Sequence, residues 1–197
     1  MVRMDQKVFI LIGRSGCGKG TQAKFLSEHL KKVNPHRDVL YIQSGMEFRN
    51  FIKGESETQE LSRKAYESDA LQPEFLSVYM WVNVLVNRYN GSQNIIFDGS
   101  PRRKSEAEVL NSAFNFYGLY KPYVIHIDVS EETVTKRLIE RHRMDDGKKD
   151  IEKRLAWYKE EVIPTINYYK NNDKYNFISI SGERTIEETH QDIIAQI

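Results

Sequence analysis

A parallel β-sheet covered by helices on both faces is the fold class this sequence predicts. Three observations lead there. Five short apolar runs alternate with longer stretches of helical periodicity along the chain. The first run, Val8-Phe-Ile-Leu-Ile12, is apolar at every position, as a strand buried on both faces requires. A glycine-rich segment beginning at Gly13 then joins this run to a helix pattern. The 197 residues fit one domain, or one domain carrying small insertions.

Each element has a local reason. The helix pattern after the first strand runs to about Val33 and stops at Asn34-Pro35. Val39 to Ile42 reads as the second strand. Phe75, Val78, Tyr79, Val82, Leu85, Val86 and Tyr89 fall at helical spacing after Pro73, a residue suited to a helix start, and Asn90-Gly91 ends that helix. Asn94 to Asp98 and Tyr123 to Val129 are the third and fourth strands. Ser130 suits an N-cap, and the acids Glu131 and Glu132 suit a first turn. After the polar stretch Met144 to Asp150, one long helix containing Trp157 and Pro164 is expected. Asn176 to Ile180 is the last strand. Thr185-Ile-Glu-Glu188 has the spacing of a capping box and opens the final helix.

Composition excludes several function classes. Hydrophobic residues make up 40% and charged residues 29%, enough apolar material for a sizeable core. No run reaches the eighteen or so apolar residues of a membrane span. Lys and Arg number 29 against 28 Asp and Glu, so the broad basic surface of a nucleic-acid binder is absent. One cysteine rules out an intrachain disulfide framework, and no secretory apolar region precedes the first strand, so a reducing cytoplasm is expected. The five histidines show no metal-ligand spacing, and His126 reads as a buried strand residue.

In parallel sheets ligands bind beyond the carboxyl ends of the strands. After the first strand, Gly13, four residues and then Gly18-Lys19 match a phosphate-binding loop. The glycines let successive backbone N–H groups turn inward around a polyphosphate, and the helix start adds partial positive charge. Lys19 can reach the outer phosphates and Thr21 can offer a hydroxyl to Mg²⁺, although Gly20 stands where the pattern expects Ser or Thr. Cys17 inside the loop reads as a tolerated side chain, with oxidation blocking the site as the alternative. After the second strand comes Ser44-Gly45-Met46-Glu47-Phe48-Arg49, and after the third Asp98-Gly99-Ser100-Pro101-Arg102. Arg137, Arg141, Arg143 and Arg154 follow the fourth. Arginines converging near a phosphate loop suit phosphoryl transfer, because a planar fork binds phosphate oxygens bidentately and keeps its charge. Asp98, at a strand end, can hold Mg²⁺ through water.

These motifs together resemble the adenylate kinases, within the wider nucleoside monophosphate kinases, over essentially the whole chain. The segment Gly13 to Gln22 is similar to the family's GxxGxGKGTQ, and Ser44-Gly45-x-x-x-Arg49 to its [ST]GDxxR. Leu71-Gln72-Pro73 resembles its LVP, Asp98 to Arg102 its DGFPR, and Arg137-x-x-x-Arg141 with Arg143-x-Asp145-Asp146 the two sides of its lid. Arg154 and Tyr158 resemble the helix after the lid. The resemblance implies a P-loop fold with a five-stranded parallel sheet. It divides the single domain into a core (1–43, 73–140, 151–197), a monophosphate-binding helical segment (44–72) and a short lid (141–150). It implies reversible transfer of the γ-phosphoryl group of MgATP to AMP. Ser15, Gly16, Cys17, Gly18, Lys19, Gly20, Thr21, Arg137, Arg141 and Arg184 would hold ATP, Arg137 by stacking on adenine. Ser44, Arg49, Leu71, Gln72, Gly99, Arg102, Glu106, Arg143 and Arg154 would hold the monophosphate. Lys19, Arg49, Arg102, Arg141, Arg143 and Arg154 would carry catalysis, with Thr21 and Asp98 beside the metal. The partners implied are small nucleotides alone, with no nucleic acid and no membrane, and a monomer is expected.

The sequence also departs from the family. Only His142 separates Arg141 from Arg143, so the lid is very short, and no CxxC pairs are present to bind zinc. A shorter lid excludes water less well, and ATP hydrolysis without acceptor is expected from it. Glu106 stands where the family glutamine meets adenine. An ionised carboxylate only accepts, which suits the N–H groups of guanine better than the N1 lone pair of adenine. Met46 and Gln72 replace a family aspartate and valine nearby. The acceptor therefore stays open between AMP and GMP or a relaxed set. A nucleotide-binding regulatory module without turnover and a small-molecule kinase remain as rival readings.

Overall fold

The computed structural model describes residues 6–68, 70–141 and 148–197. Five strands, β1 (Val8–Ile12), β2 (Val39–Gln43), β3 (Asn94–Asp98), β4 (Tyr123–Asp128) and β5 (Asn176–Ser181), form one sheet in the order β2-β3-β1-β4-β5. Every pairing is parallel. The helices are α1 (Lys19–Val33), α2 (Ser44–Phe51), α3 (Glu57–Glu67), α4 (Glu74–Arg88), α5 (Lys104–Tyr117), α6 (Glu131–Arg141), α7 (Lys148–Trp157), α8 (Ile163–Lys170) and α9 (Ile186–Ile194). The strand boundaries agree with the sequence reading to within a residue.

The sheet is buried on both faces because its central strand is apolar throughout. Val8, Ile10 and Ile12 face one layer, with Trp81 and Leu85 of α4, Leu110 and Phe114 of α5, and Tyr169 of α8. Phe9 and Leu11 face the other, with Ala23 and Leu26 of α1, Val134 of α6 and Ile193 of α9. Burying one such large side chain contributes about 1.5–3 kcal/mol. Register places the site. Leu11 of β1 and Gln43 of β2 both pair with Asp98 of β3, so three strands finish in one row. The loop after β1, the start of α2 and the segment after β3 therefore leave the sheet side by side.

The inner face of α4 goes beyond what its spacing gave, and the long helix near Pro164 needs correction. Helix α4 buries Leu76, Met80, Trp81, Val84 and Leu85, while Phe75, Tyr79 and Val86 are exposed. The helix is apolar nearly all round, so periodicity alone could not choose its inner face. The long helix containing Trp157 and Pro164 is also not one α-helix. A π-helical turn, Tyr158–Val162, separates α7 from α8. Pro164 has no N–H to give the carbonyl of Glu160, and the chain widens ahead of it, with the Ile163 N–H donating to the Tyr158 carbonyl.

Candidate active site

The loop after β1 is shaped by close approach. A Cβ on Gly13 would lie 2.5 Å from the carbonyl oxygen of Ile127, so only glycine fits there. Gly18 ends the loop with φ 98°, a left-handed conformation that glycine adopts without strain. Helix α1 then begins with no side-chain cap and no acidic residue in its first turn. Helices α2, α4 and α5 likewise start without a side-chain cap, but each has an acidic residue in its first turn. Ser56 with Gln59 and Thr185 with Glu188 form complete capping boxes on α3 and α9. The start of α1 thus keeps backbone donors and the positive end of the helix dipole available to an anion. The Lys19 ammonium lies along the loop, donating to the carbonyls of Gly13 (2.8 Å) and Arg14 (2.7 Å), with the Cys17 sulfur 3.5 Å away. Cys17 is 2% exposed, which favours the reading of a packed side chain.

Asp98 stands opposite. Its Oδ2 accepts from the Tyr41 hydroxyl (2.7 Å) and the Gln43 amide (2.9 Å), alternate residues of β2 on one face. Burial, then the neighbouring carboxylate, pushes the Tyr41 phenol above its ordinary range, so it stays a donor. A Cβ on Gly20 would come within 3.3 Å of Asp98 Oδ2. The glycine that interrupts the expected loop pattern therefore keeps room between Asp98 and α1. A carboxylate and the Thr21 hydroxyl lining one polar space are hard oxygen donors of the kind that suits Mg²⁺ with its waters.

The loop, Gln43 and Asp98 line one cavity of about 930 Å³. It gathers Ser15 to Thr21 of the loop, Ser44 and Arg49 of α2, Leu71 and Gln72 before α4, and Asp98, Gly99, Arg102 and Glu106 around the start of α5. Arg137 of α6, Arg154 of α7 and Arg184 before α9 reach it from the other side. Arg102 Nε donates to the Gly99 carbonyl at 3.1 Å. Arg137 donates to the Gly182 carbonyl at 3.0 Å, and Arg154 to the Ser15 hydroxyl at 3.4 Å. Arg184 also makes an exposed ion pair with Asp192 at 3.0 Å. The side chain of Arg141, the whole of Arg143 and the proposed lid tip lie outside the described residues.

Glu106 is buried at the cavity wall. Its Oε2 accepts the Arg102 backbone N–H at 3.1 Å, and its Oε1 is 3.8 Å from the Arg103 guanidinium. Burial raises its carboxyl pKa; the Arg102 backbone donor and the charges of Arg102 and Arg103 oppose that rise, and Glu74 adds to it. Gln72 lines the same cavity with its amide already engaged. Its amide oxygen accepts from the Ser62 hydroxyl (2.8 Å) and its amide nitrogen donates to the Ser62 carbonyl (2.9 Å), closing α3 onto the segment before α4.

Arg103 is a cavity residue the motif reading passed over. It reaches Glu106, the Glu161 carboxylate at 3.4 Å and the Gln72 carbonyl at 3.4 Å, joining three walls. Its position beside Arg102 in a motif that specifies only one arginine hid it.

The geometry agrees with what comparisons find. The family model described as adenylate kinase matches residues 11–174. An adenylate kinase of Corynebacterium aurimucosum is 34% identical over 184 residues, covering 93% of this chain and 94% of that protein. One from Flavobacterium psychrophilum is 32% identical, covering 91% and 92%. Adenylate kinase 1 of a Nostoc species is 30% identical, covering 92% and 94%.

Proposed function

Since this chain belongs to the adenylate kinase family, we propose that it transfers the γ-phosphoryl group of MgATP reversibly to AMP, giving two ADP, in the cavity described above. The observation that carries this reading is convergence. One cavity holds an uncapped helix start with Lys19, the segment Asp98 to Arg102, and the arginines 49, 102, 137, 154 and 184.

The acceptor phosphate is itself an anionic nucleophile, so the chain need not supply a strong base. What it must supply is positioning and compensation of charge on the transferred group. Lys19 and the loop N–H groups would grip the outer phosphates of ATP. Arg49 and Arg102 would hold the acceptor phosphate in line, and Arg154, with Arg141 and Arg143, would surround the group in flight. Arg137 would lie against the ATP base near Gly182, with Arg184 close by. Thr21 and Asp98 would hold the metal through oxygen, where it neutralises phosphate charge. Residues 44–72 form the acceptor-binding segment, 141–150 a short lid and the rest the core, in a monomeric protein of the cytoplasm. The short lid would leave some ATP hydrolysis in the absence of acceptor. Among the described residues no helix is long and apolar enough to cross a membrane.

A second acceptor reading rests on Glu106, a buried carboxyl at the cavity wall beside Arg103. An ionised Glu106 accepts from guanine N–H groups, whereas a protonated one can donate to adenine N1. Diphosphate formation from MgATP with AMP, GMP, CMP, UMP and dTMP offered separately decides. Turnover with AMP alone is the expected result. Preference for GMP, or a broad response, transfers selectivity to Glu106. ATP binding without turnover on any of them overturns the kinase reading in favour of a regulatory module.

A further inference from the structure

The loop motif leaves its second position unspecified, and here it is Arg14. Its side chain does not line the main cavity. It leaves the loop on the far side, where it borders a smaller cavity with Asp128, Ser130 and Glu183. The guanidinium lies 4.2 Å from the centre of the Tyr158 ring. It donates to the Val129 carbonyl at 2.8 Å and approaches Asp128 (3.4 Å) and Glu131 (4.0 Å). Its side chain is only 17% exposed, so this contact is shielded from water and worth more than a surface one.

Tyr158 opens the π-helical turn, four residues after Arg154, and is therefore its neighbour on the helix face. Tyr158 is held from behind as well. Its hydroxyl meets His126 Nε2 at 3.3 Å, and His126 Nδ1 meets the Ser179 hydroxyl at 3.2 Å. Lys159, the next residue, pairs with Glu131 at 2.9 Å, the same carboxylate that Arg14 approaches. The helix carrying Arg154 is thus clamped to the junction of β4 and α6 through the tyrosine ring and its neighbour.

The same loop segment also governs two groups inside the cavity. The Arg14 carbonyl accepts from the Lys19 ammonium, and the Ser15 hydroxyl accepts from Arg154. We propose that Arg14 is a positioning residue for phosphoryl transfer: its guanidinium, stacked on Tyr158, sets the distance between Lys19 and the Arg154-bearing helix across the transferred phosphate. This rests on the proposed kinase reading of the cavity. Arg14 touches no substrate; it fixes the frame in which two cations meet one phosphoryl group. Misplacement of about 1 Å at such a site costs roughly 10²-fold in rate.

The test uses the full chain and steady-state ADP formation from MgATP and AMP. Arg14→Met keeps the aliphatic stem and removes the stacked cation. Tyr158→Leu removes the ring; Tyr158→Phe keeps it and loses only the hydroxyl. Arg14→Met and Tyr158→Leu are each expected to lower kcat by roughly 10–100-fold, with smaller changes in KM for ATP. The double variant is expected to be little worse than either single one, because the two residues form one contact. Tyr158→Phe is expected to lose far less than Tyr158→Leu. A purely structural role predicts instead a lower melting temperature with kcat per folded molecule preserved, and that result, or additive losses in the double variant, overturns the proposal. Should Arg14→Met fail to fold, the Phe and Leu variants at 158 decide it, equal kcat in both refuting the stacking role. Wild-type protein that makes no diphosphate from any monophosphate defeats the kinase reading itself, and this inference with it.

Discussion

At the phosphate-loop wall of the cleft, α1 begins without a side-chain cap and without an acidic residue in its first turn. Across the cleft, several polar groups of the acceptor wall are already engaged. Gln72 is closed on Ser62, Glu106 on the Arg102 N–H, and Asp98 on Tyr41 and Gln43. The loop wall keeps donors in reserve for a charged ligand. The engaged side chains of the acceptor wall can meet a ligand only by exchanging or sharing existing bonds, as the Lys19 ammonium must on the loop side. Changes at the loop should therefore act on rate, and changes at the engaged side chains Gln72 and Glu106 on stability and selectivity before rate.

The largest expected effect belongs to the loop wall. Lys19→Met should lower kcat by roughly 10³-fold or more while the melting temperature stays close to wild type, since electrostatic groups aimed at developing charge carry losses of that order. Steady-state ADP formation and a melting curve check it together. An equally large rate loss from Gln72→Val would show that the engaged side chains also act on the transferred group. That substitution should instead cost about 1–3 kcal/mol of stability, because it strands the buried Ser62 hydroxyl. Chemical denaturation measures it.

Glu106 sharpens the contrast through pH. Its folded-state pKa lies above its unfolded value, so the folded protein holds the proton more tightly. The stability this contributes is fully present below the ordinary carboxylate range and is lost as pH rises through the folded value. Glu106→Gln should remove that dependence. The stability of wild type relative to the variant should fall with rising pH across this window, by on the order of 1 kcal/mol for each unit of displacement. Parallel melting curves from pH 4 upward test it, and a constant difference refutes it. The smallest effect is expected at Ser56→Ala, which removes the α3 capping box and should cost about 1 kcal/mol. Denaturant midpoints at matched slopes read it out.

Much of this was legible in the sequence for identifiable reasons. The uninterrupted run Val8 to Ile12, closed by glycine, suits a doubly buried strand, and all five residues are buried. The Thr185 capping box was readable because its two partners lie three residues apart. The described candidates around the cavity were legible because strand ends in a parallel sheet converge. Other features depend on partners far apart in the chain. Nothing near Arg14 indicates Tyr158, 144 residues later, and nothing near Gln72 indicates that Ser62 would take both ends of its amide. The helical pattern through Trp157 and Pro164 read as one helix, because periodicity does not register the single missing N–H that Pro164 imposes on the turn before it. On α4 the apolar residues outnumber the positions on one face, so the sequence could not say which of them would meet solvent.

The two tryptophans divide the molecule's intrinsic fluorescence into separate reports. Trp81 is fully buried in the core under β3, edge-to-face with Phe97 at 6.2 Å between ring centres. Trp157 ends α7 and lines the cleft beside Arg154 and Tyr158. An indole at the first position senses folding; one at the second senses what enters the cleft and how α7 sits. Titrating nucleotide should therefore shift the emission of Trp157 and leave that of Trp81 in place. A Trp157→Phe protein should keep its unfolding signal and lose its response to ligand, giving a label-free optical channel for each process.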